Sequence, residues 1–155
     1  MEKMLLKNIE NQASADINEY KKFGGYRAIP KAAGYKPQEI IEMVKKAGLK
    51  GRGGAGFPVA MKWSLARADT KLPKYLLCNA DEGEPGTFKD RPILEKNPHL
   101  LIEGMIIAGY AIGAEYGYIY LRGEYPGAYH ILNKAIAQAY ENNFLGDDIL
   151  GKGIK

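Results

Sequence analysis

The chain has 155 residues, of which 46% are hydrophobic and 26% charged, values typical of a soluble globular protein with one substantial core. The net charge is +4, and the whole excess lies in residues 1–50, which carry ten Lys or Arg against six Asp or Glu. Because no stretch interleaves many basic residues with aromatic ones, we expect no nucleic-acid partner. The uncharged apolar run at 104–114 is too short to span a bilayer, so we expect no direct membrane insertion.

Cysteine usage bounds the redox setting and the metal chemistry. The chain has one cysteine, Cys78, so neither an internal disulfide nor a cysteine-based metal site can form within it. The first ten residues are charged and no apolar segment follows them, so no secretory signal is predicted. We therefore expect a cytoplasmic protein, either free or peripheral to a membrane complex.

The first predicted elements are helical. A short helix is predicted over 14–22 with Ser14 as its cap, followed by a turn at 23–26. A clear amphipathic helix begins at Pro37, with Ile40, Ile41 and Val44 on its apolar face, and ends at Gly48. A glycine-rich loop then occupies 51–58, and a short helix is predicted over 59–67. We divide the chain into a helical and extended leader at 1–36 and an α/β domain at 37–155.

The second half alternates strands and helices. The apolar run at 75–78 predicts a buried strand, and an acidic loop follows at 79–87. Helices are predicted over 90–96 and 98–114, then a strand at 118–121 and a last helix over 126–142. Strands separated by helices indicate a parallel sheet, so the predicted fold class is α/β: a partial Rossmann-like parallel sheet with flanking helices, preceded by an N-terminal helical segment. Two strands are fewer than sheets normally have, so we expect the domain to be truncated at its C-terminal side or to rely on a partner.

The loop at 51–58 is the first candidate site. It matches G-x-G-x-x-G, but the Rossmann fingerprint needs a strand before the loop and here a helix precedes it, so that interpretation is rejected. Four glycines in six residues still expose backbone N–H groups to an anion or a flat ring. Arg52 and Lys62 can reach a phosphate, and Phe57 offers a ring face for stacking. A structural turn without a ligand is the alternative. The candidate residues are Gly51, Arg52, Gly53, Gly54, Gly56, Phe57 and, on the next helix, Lys62.

The acidic loop after the first strand is the second candidate site. Ligands of open α/β sheets bind at the carboxyl ends of the strands. Carboxylates and a carboxamide accept hydrogen bonds from the hydroxyl groups of a ribityl chain or a ribose. A magnesium site, or surface ion pairs with Lys89 and Arg91, would also account for the acidic residues. The candidates are Asn79, Asp81, Glu82 and Glu84.

Taken together, these motifs resemble a known family. They are GRGGAGFP at 51–58, KW at 62–63, NADE at 79–82, EPGT at 84–87, DR at 90–91, NPH at 97–99 and YIYLRGEY at 118–125. The resemblance is to the flavoprotein, NADH-binding subunit of respiratory complex I. The same family includes the flavin subunits of NAD-reducing and electron-bifurcating hydrogenases and of some NAD-dependent formate dehydrogenases. It covers the chain from about residue 26 to its end.

The resemblance implies two cofactors and a set of contacts. FMN would lie in the glycine loop, with Lys62, Asn79 and Asp81 near the flavin. Phe57 would stack on the adenine of NADH, and Glu84 would contact the nucleotide. Hydride would pass from NADH to FMN, and electrons would leave singly toward iron–sulfur clusters. Two departures from the family pattern are Val59-Ala60 and Leu65, the latter at a position where the family often has an aromatic residue.

The chain is thus interpreted as the N-terminal part of an NADH:acceptor oxidoreductase flavin subunit, with 37–155 as its FMN/NADH-binding domain. Its partners would be NADH, the remainder of the flavin subunit and the iron–sulfur subunits of a larger complex. The 4Fe–4S cluster belongs to the complete family subunit and not to this chain, because one cysteine cannot hold it. No residue is predicted to be catalytic, and we expect the isolated chain to be inactive. A stand-alone flavin- or nucleotide-binding module and a non-catalytic fragment are the alternatives.

Overall fold

The computed structural model describes residues 5, 9–10 and 15–154. Within them, seven helices and two strands follow one another as α1, α2, α3, α4, β1, α5, α6, β2 and α7. The helices are α1 (Ile17–Lys22), α2 (Ala28–Ala33), α3 (Pro37–Lys46), α4 (Val59–Ala68), α5 (Asp90–Lys96), α6 (Pro98–Ile112) and α7 (Pro126–Glu141); the strands are β1 (Tyr75–Ala80) and β2 (Tyr116–Leu121).

Proline sets the start of three helices, and here the sequence-based prediction is confirmed. Pro37, Pro98 and Pro126 each occupy the first turn of a helix, where the missing N–H costs nothing. Gly113 ends α6 in the left-handed conformation with a φ of 77°. None of the described helices is long and apolar enough to cross a membrane.

The leader differs from the prediction in two ways. The first helix begins at Ile17 and is capped by Asp16, whose Oδ1 accepts from the N–H groups of Asn18 and Glu19 at 2.9 and 3.4 Å. The predicted cap, Ser14, lies outside the described residues. A second short helix, α2, was not predicted, because six residues containing a proline carry too weak a local signal.

The two strands pair in parallel, as predicted, with Tyr75 opposite Tyr116 and Ala80 opposite Leu121. The prediction of a buried first strand is wrong, since Leu77 is 66% exposed and Tyr75 is 56% exposed. The helices cover one face of the sheet, where Cys78 packs in a cluster with β2, α5 and α7. The other face carries a row of exposed tyrosines around Leu77, so β1 is half-buried.

Helix α6 lies at the centre of the packing. On one side Ile102 and Ile106 pack with Tyr20 and Tyr26 of the leader and with Phe144 after α7. Another cluster joins α6 to α3 and α4, and a third joins α5 and α7 to the covered face of the sheet. The leader therefore packs into the same core as α6 and α7, while the division of the chain at 36/37 stays a prediction.

A groove of about 600 Å³ lies between β2, α6 and α7. Met105, Ile119, Leu132 and Ile136 contribute to its mostly apolar lining. The groove contains no residue of either predicted ligand loop. The candidate site is therefore a separate surface, formed by loops rather than by this groove.

Candidate functional site

The glycine-rich loop lies between α3 and α4 and is closed at its neck. The N–H of Gly51 donates to the carbonyl of Phe57 at 2.9 Å, and the residues flanking this pair form an isolated antiparallel bridge. Gly54 and Gly56 have φ values of 106° and 63°, which favour glycine. The shape of the segment 52–56 therefore depends on its glycines, while the neck fixes its two ends.

This loop leaves both donors and space for a ligand. In the part of the chain that the structure describes, the backbone N–H groups of 52–56 donate to no protein acceptor. A Cβ atom added to Gly53, Gly54 or Gly56 would meet no other atom within 4 Å. Unpartnered N–H groups beside an open glycine backbone suit a phosphate or the edge of a flat ring. The residues present therefore fit FMN.

Three side chains of the predicted site are exposed: Arg52 and Phe57 in the glycine loop, and Lys62 on α4. Phe57 is 48% exposed. Neither Arg52 nor Lys62 forms an ion pair within the described residues, so both cations are available to an anion. Lys62 is fixed in position through α4, which packs on α3 and α6 by way of the buried Ala60.

The acidic loop starts at the carboxyl end of β1, as predicted. Asn79 is exposed, and its Oδ1 accepts from the N–H of Asp81 at 3.1 Å. Thr87 donates through its N–H and its hydroxyl to the carbonyl of Glu84, at 3.1 and 2.6 Å, which closes a turn around Gly86. Asp81 and Glu84 are both exposed. Their carboxylates can therefore meet a ligand that arrives from solvent.

Glu82 is placed differently from its neighbours, since it is 5% exposed. Its Oε1 accepts from the N–H groups of Lys89 and Asp90 at 2.8 and 2.9 Å, and its Oε2 from the N–H of Arg91 at 3.2 Å. Burial acts to raise the pKa of this carboxyl, but the three backbone donors outweigh it, and the pKa lies below its ordinary value. The side chain of Glu82 thus binds the N-terminus of α5, and the direct ligand contact predicted for it stays a prediction.

Two alternatives for the acidic loop were surface ion pairs with Lys89 and Arg91 and a magnesium site, and the structure bears on both. Lys89 and Arg91, proposed as its surface ion-pair partners, instead pair with residues of α5: Lys89 with Asp90 at 2.6 Å and Arg91 with Glu95 at 2.8 Å. For magnesium, no group of three or more His, Cys, Asp or Glu side chains suited to a metal ion occurs among the described residues. Among those residues neither Asp81 nor Glu84 forms an ion pair within 4.0 Å, while the charge of Asp81 acts on the nearby Arg122.

Both loops are held by the helices that follow them. Helix α4, after the glycine loop, packs on α6, and so does α5, after the acidic loop. In the described part of the chain no hydrogen bond or ion pair joins one loop to the other. The site is therefore two separately anchored loops on a common support.

Sequence reasoning missed Arg122 and Tyr125, which contact the acidic loop from the segment between β2 and α7. Arg122 Nη1 donates to the carbonyl of Glu82, and the Tyr125 hydroxyl lies 3.5 Å from the same oxygen. The signal that could have found them is the parallel pairing itself, because the residues that follow the two strands emerge at the same end of the sheet.

A second missed group is a buried polar network around His99, which is fully buried. Its Nδ1 lies 2.9 Å from the hydroxyl of Tyr26, and its Nε2 lies 3.1 Å from Oε1 of Gln138, whose Nε2 donates to Asp16 at 3.3 Å. This arrangement places the proton of a neutral ring on Nε2, and burial lowers the pKa of His99. The network joins the leader to α6 and α7 and includes no residue of either ligand loop.

The chain has the features of a flavin-binding domain. Its fold is α/β, its glycine loop fits a flavin phosphate, and a polar loop follows the end of a parallel strand. The family model of the Nuo51 FMN-binding domain matches residues 44–151. The chain belongs to this family.

Similar proteins in other organisms are subunits of respiratory and hydrogenase complexes. The NADH-quinone oxidoreductase F 2 subunit of Rhizobium meliloti is 55% identical over 153 residues, which are 98% of this chain and 36% of the relative. The NADH-quinone oxidoreductase F subunit of Aquifex aeolicus is 56% identical over 150 residues, 97% of this chain and 35% of the relative. The NADP-reducing hydrogenase subunit HndC of Solidesulfovibrio fructosivorans is 47% identical, over 88% of this chain and 28% of its own length.

Solved structures give the same result for the fold. The NAD⁺-reducing [NiFe]-hydrogenase in its air-oxidised state superposes with a TM-score of 0.71 at 40% identity, covering 90% of this chain and 23% of that one. Its H₂-reduced state superposes with a TM-score of 0.74 at 36% identity, over 99% and 24%. The partial Rossmann-like α/β fold is thereby confirmed. The chain spans about a third of the length of the curated relatives it matches.

Proposed function

We propose that this chain is the N-terminal part of an NADH:acceptor oxidoreductase flavin subunit, and that it binds FMN through its glycine loop and NADH through its acidic loop. The observation that carries the proposal is the set of unpartnered N–H groups at 52–56 beside an open glycine backbone. Membership of the FMN-binding family supports the identity of the flavin. The names of the relatives support NADH as the donor.

The glycine loop is proposed to hold the FMN phosphate and one edge of its ring. Its N–H groups donate to phosphate oxygens, and Arg52 and Lys62 supply the positive charge that an anion needs. FMN, when bound, accepts hydride from NADH and releases electrons singly to the iron–sulfur clusters of the complete assembly. The residues of this part of the site are Gly51, Arg52, Gly53, Gly54, Gly56 and Lys62.

The acidic loop is proposed to orient the sugar groups. Asn79 and Asp81 accept hydrogen bonds from ribityl hydroxyls, while Glu84 accepts from the ribose or carboxamide of NADH. Phe57 stacks on the adenine. None of these groups needs to take or give a proton, because hydride transfer to a flavin asks for donor and acceptor to be aligned at near contact. The protein's contribution is therefore orientation and electrostatics.

The test is a chimera in which this chain replaces the matching third of the Rhizobium meliloti relative. We expect the purified chimera to retain FMN and to reduce ferricyanide with NADH. Replacing Gly54 by Val, which fills the open space above the loop, should remove the flavin. Glu141→Gln, an exposed change at the end of α7, serves as the control and should leave it in place. A folded chimera that carries no flavin would refute the proposal, and one that holds FMN without oxidising NADH would limit it to flavin binding.

A further inference from the structure

The parallel register brings Arg122 to the candidate site. Ala80 is paired with Leu121, so Asp81 and Arg122 are the first residues beyond the two strands. The N–H of Arg122 donates to the carbonyl of Ala80 at 3.3 Å, which continues the ladder by one step. Arg122 therefore lies beside the start of the acidic loop.

The guanidinium of Arg122 contacts protein acceptors on two sides, although its side chain is 27% exposed and that of Glu124 is 70% exposed. Nη1 donates to the carbonyl of Glu82, while Nε and Nη2 contact the carboxylate of Glu124 at 3.2 and 3.3 Å. A planar guanidinium held on both sides has one orientation. It therefore fixes the backbone of the loop at Glu82 from the neighbouring strand.

The ring of Tyr125 completes this arrangement. It lies against the guanidinium groups of Arg91 and Arg122, whose Cζ atoms are 5.2 and 5.9 Å from its centroid. Its hydroxyl is 3.5 Å from both the carbonyl oxygen and Oε2 of Glu82. Glu82 in turn accepts the first N–H groups of α5. The loop is thus held at its backbone, at its buried carboxylate and at the helix that follows.

We infer that Glu82, Arg122 and Tyr125 form a positioning cluster that holds residues 81–89 in the conformation in which Asp81 and Glu84 face a ligand. The cluster acts through the loop, so this inference gives Glu82 a positioning role in place of the direct ligand contact predicted from the sequence; Arg122 and Tyr125 are positioning residues as well. The naming of FMN as the ligand rests on the proposed function. The claim that the cluster holds the conformation of the loop rests on the contacts alone and is tested separately.

The first arm of the test measures amide hydrogen exchange in the full chain without ligand. Glu82→Gln removes a charged acceptor from three N–H groups, so the hydrogen bonds of these groups weaken. We expect exchange at Lys89, Asp90 and Arg91 to rise roughly ten- to hundredfold, since tenfold corresponds to about 1.4 kcal/mol. Arg122→Lys and Tyr125→Phe should give smaller increases at the same amides. Unchanged exchange there in Glu82→Gln overturns the inference, whatever the chain binds.

The second arm follows FMN binding to the full chain by NMR titration, which also measures weak binding. Glu82→Gln should raise the Kd about tenfold, and adding Asp81→Asn should cost little more than Asp81→Asn alone, because both changes act on the same contact. Glu103→Gln is the matched control: Glu103 is also buried and also accepts from three donors, but in the leader, at Tyr20, Tyr26 and Ala28. It should lower stability and leave the Kd unchanged.

The outcomes of the second arm are distinct. A wild-type chain whose glycine-loop amides do not shift with FMN contradicts the proposed function in this chain, and the exchange arm still decides the positioning cluster. An equal rise in Kd for Glu82→Gln and Glu103→Gln, at equal loss of stability, would show that Glu82 acts through global stability and would overturn the inference.

Discussion

Glu103 provides a test of how the leader is attached to α6. It is 7% exposed, and its Oε2 accepts from the hydroxyl of Tyr20 at 2.6 Å and from the N–H of Tyr26 at 2.9 Å. Its Oε1 accepts from the N–H of Ala28, the first residue of α2, at 3.1 Å. Tyr26 has a φ of 61°, a conformation that tyrosine rarely adopts, so its backbone depends on this acceptor. Glu103→Gln should therefore loosen the whole leader.

The loss of stability in Glu103→Gln follows from the three donors that the carboxylate of Glu103 accepts from. A glutamine whose oxygen faces Tyr20 and Tyr26 turns its NH₂ group toward the N–H of Ala28. That leaves the part-buried N–H of Ala28 without this acceptor, at about 1 kcal/mol, and weakens two charge-assisted bonds by about 1 kcal/mol each. The neutral side chain is less costly to bury, which offsets part of this loss. We expect a net loss of about 2–3 kcal/mol, or roughly 5–15 °C in Tm for a chain of this size.

The assay is urea unfolding followed by far-UV circular dichroism, with the fluorescence of the single tryptophan, Trp63, as a second probe. Tyr20→Phe removes one of the three donors and should cost about 1 kcal/mol. Glu141→Gln makes the same chemical change at an exposed position and should stay within about 0.5 kcal/mol of wild type. A loss below about 1 kcal/mol for Glu103→Gln, at an unchanged m-value, would refute the reasoning.

Three further predictions concern pH, the glycine loop and the open face of the sheet. Since burial lowers the pKa of His99, the unfolded chain binds a proton below about pH 6.5 that the folded chain does not. The free energy of unfolding in urea should therefore fall on acidification by up to about 1.4 kcal/mol per pH unit. His99→Gln should flatten this slope. Gly54→Ala, at a φ of 106°, should cost about 1–3 kcal/mol in thermal unfolding, whereas Gly53→Ala, with open space and no positive φ, should cost less than about 1 kcal/mol; equal losses would contradict the geometry. Leu77→Thr, on the exposed face, should change unfolding by less than about 0.5 kcal/mol, while Ile41→Ala, fully buried, should cost about 2–5 kcal/mol; similar losses would show that the face is covered.

Local signals account for the parts of the fold that the sequence predicts well. A proline in the first helical turn or a glycine just after the last acts through the backbone of its own segment, so α3, α6 and α7 begin at the predicted residues. Burial is not local. The run at 75–78 is apolar whether one face or both are covered, and the exposure of Leu77 depends on which elements pack on β1.

The candidate site also has a part that local sequence signals predict and a part that depends on tertiary packing. The position of both ligand loops follows from composition, because glycine clusters and acidic turn residues mark loops directly. The sequence does not distinguish Glu82 from Glu84, two residues apart in one acidic loop. Their environments are opposite: Glu84 is exposed, and Glu82 binds three backbone N–H groups seven to nine residues ahead. That difference depends on where α5 docks, which no short motif encodes.

Glu82 and Glu103 each accept hydrogen bonds at the N-terminus of a short helix. Helix α2 has six residues and α5 has seven, and neither has a side-chain cap from its own N-cap residue. Helices of this length are unstable alone, and their first N–H groups need acceptors. A buried glutamate from outside the helix accepts from the N–H of Ala28 in α2, and another accepts from the N–H groups of Lys89, Asp90 and Arg91 at α5. For α5 this has a functional consequence, because the glutamate that holds the helix belongs to the ligand loop. A ligand that binds only the folded loop must then stabilise the docking of α5, by an amount that grows with the ligand concentration relative to its Kd.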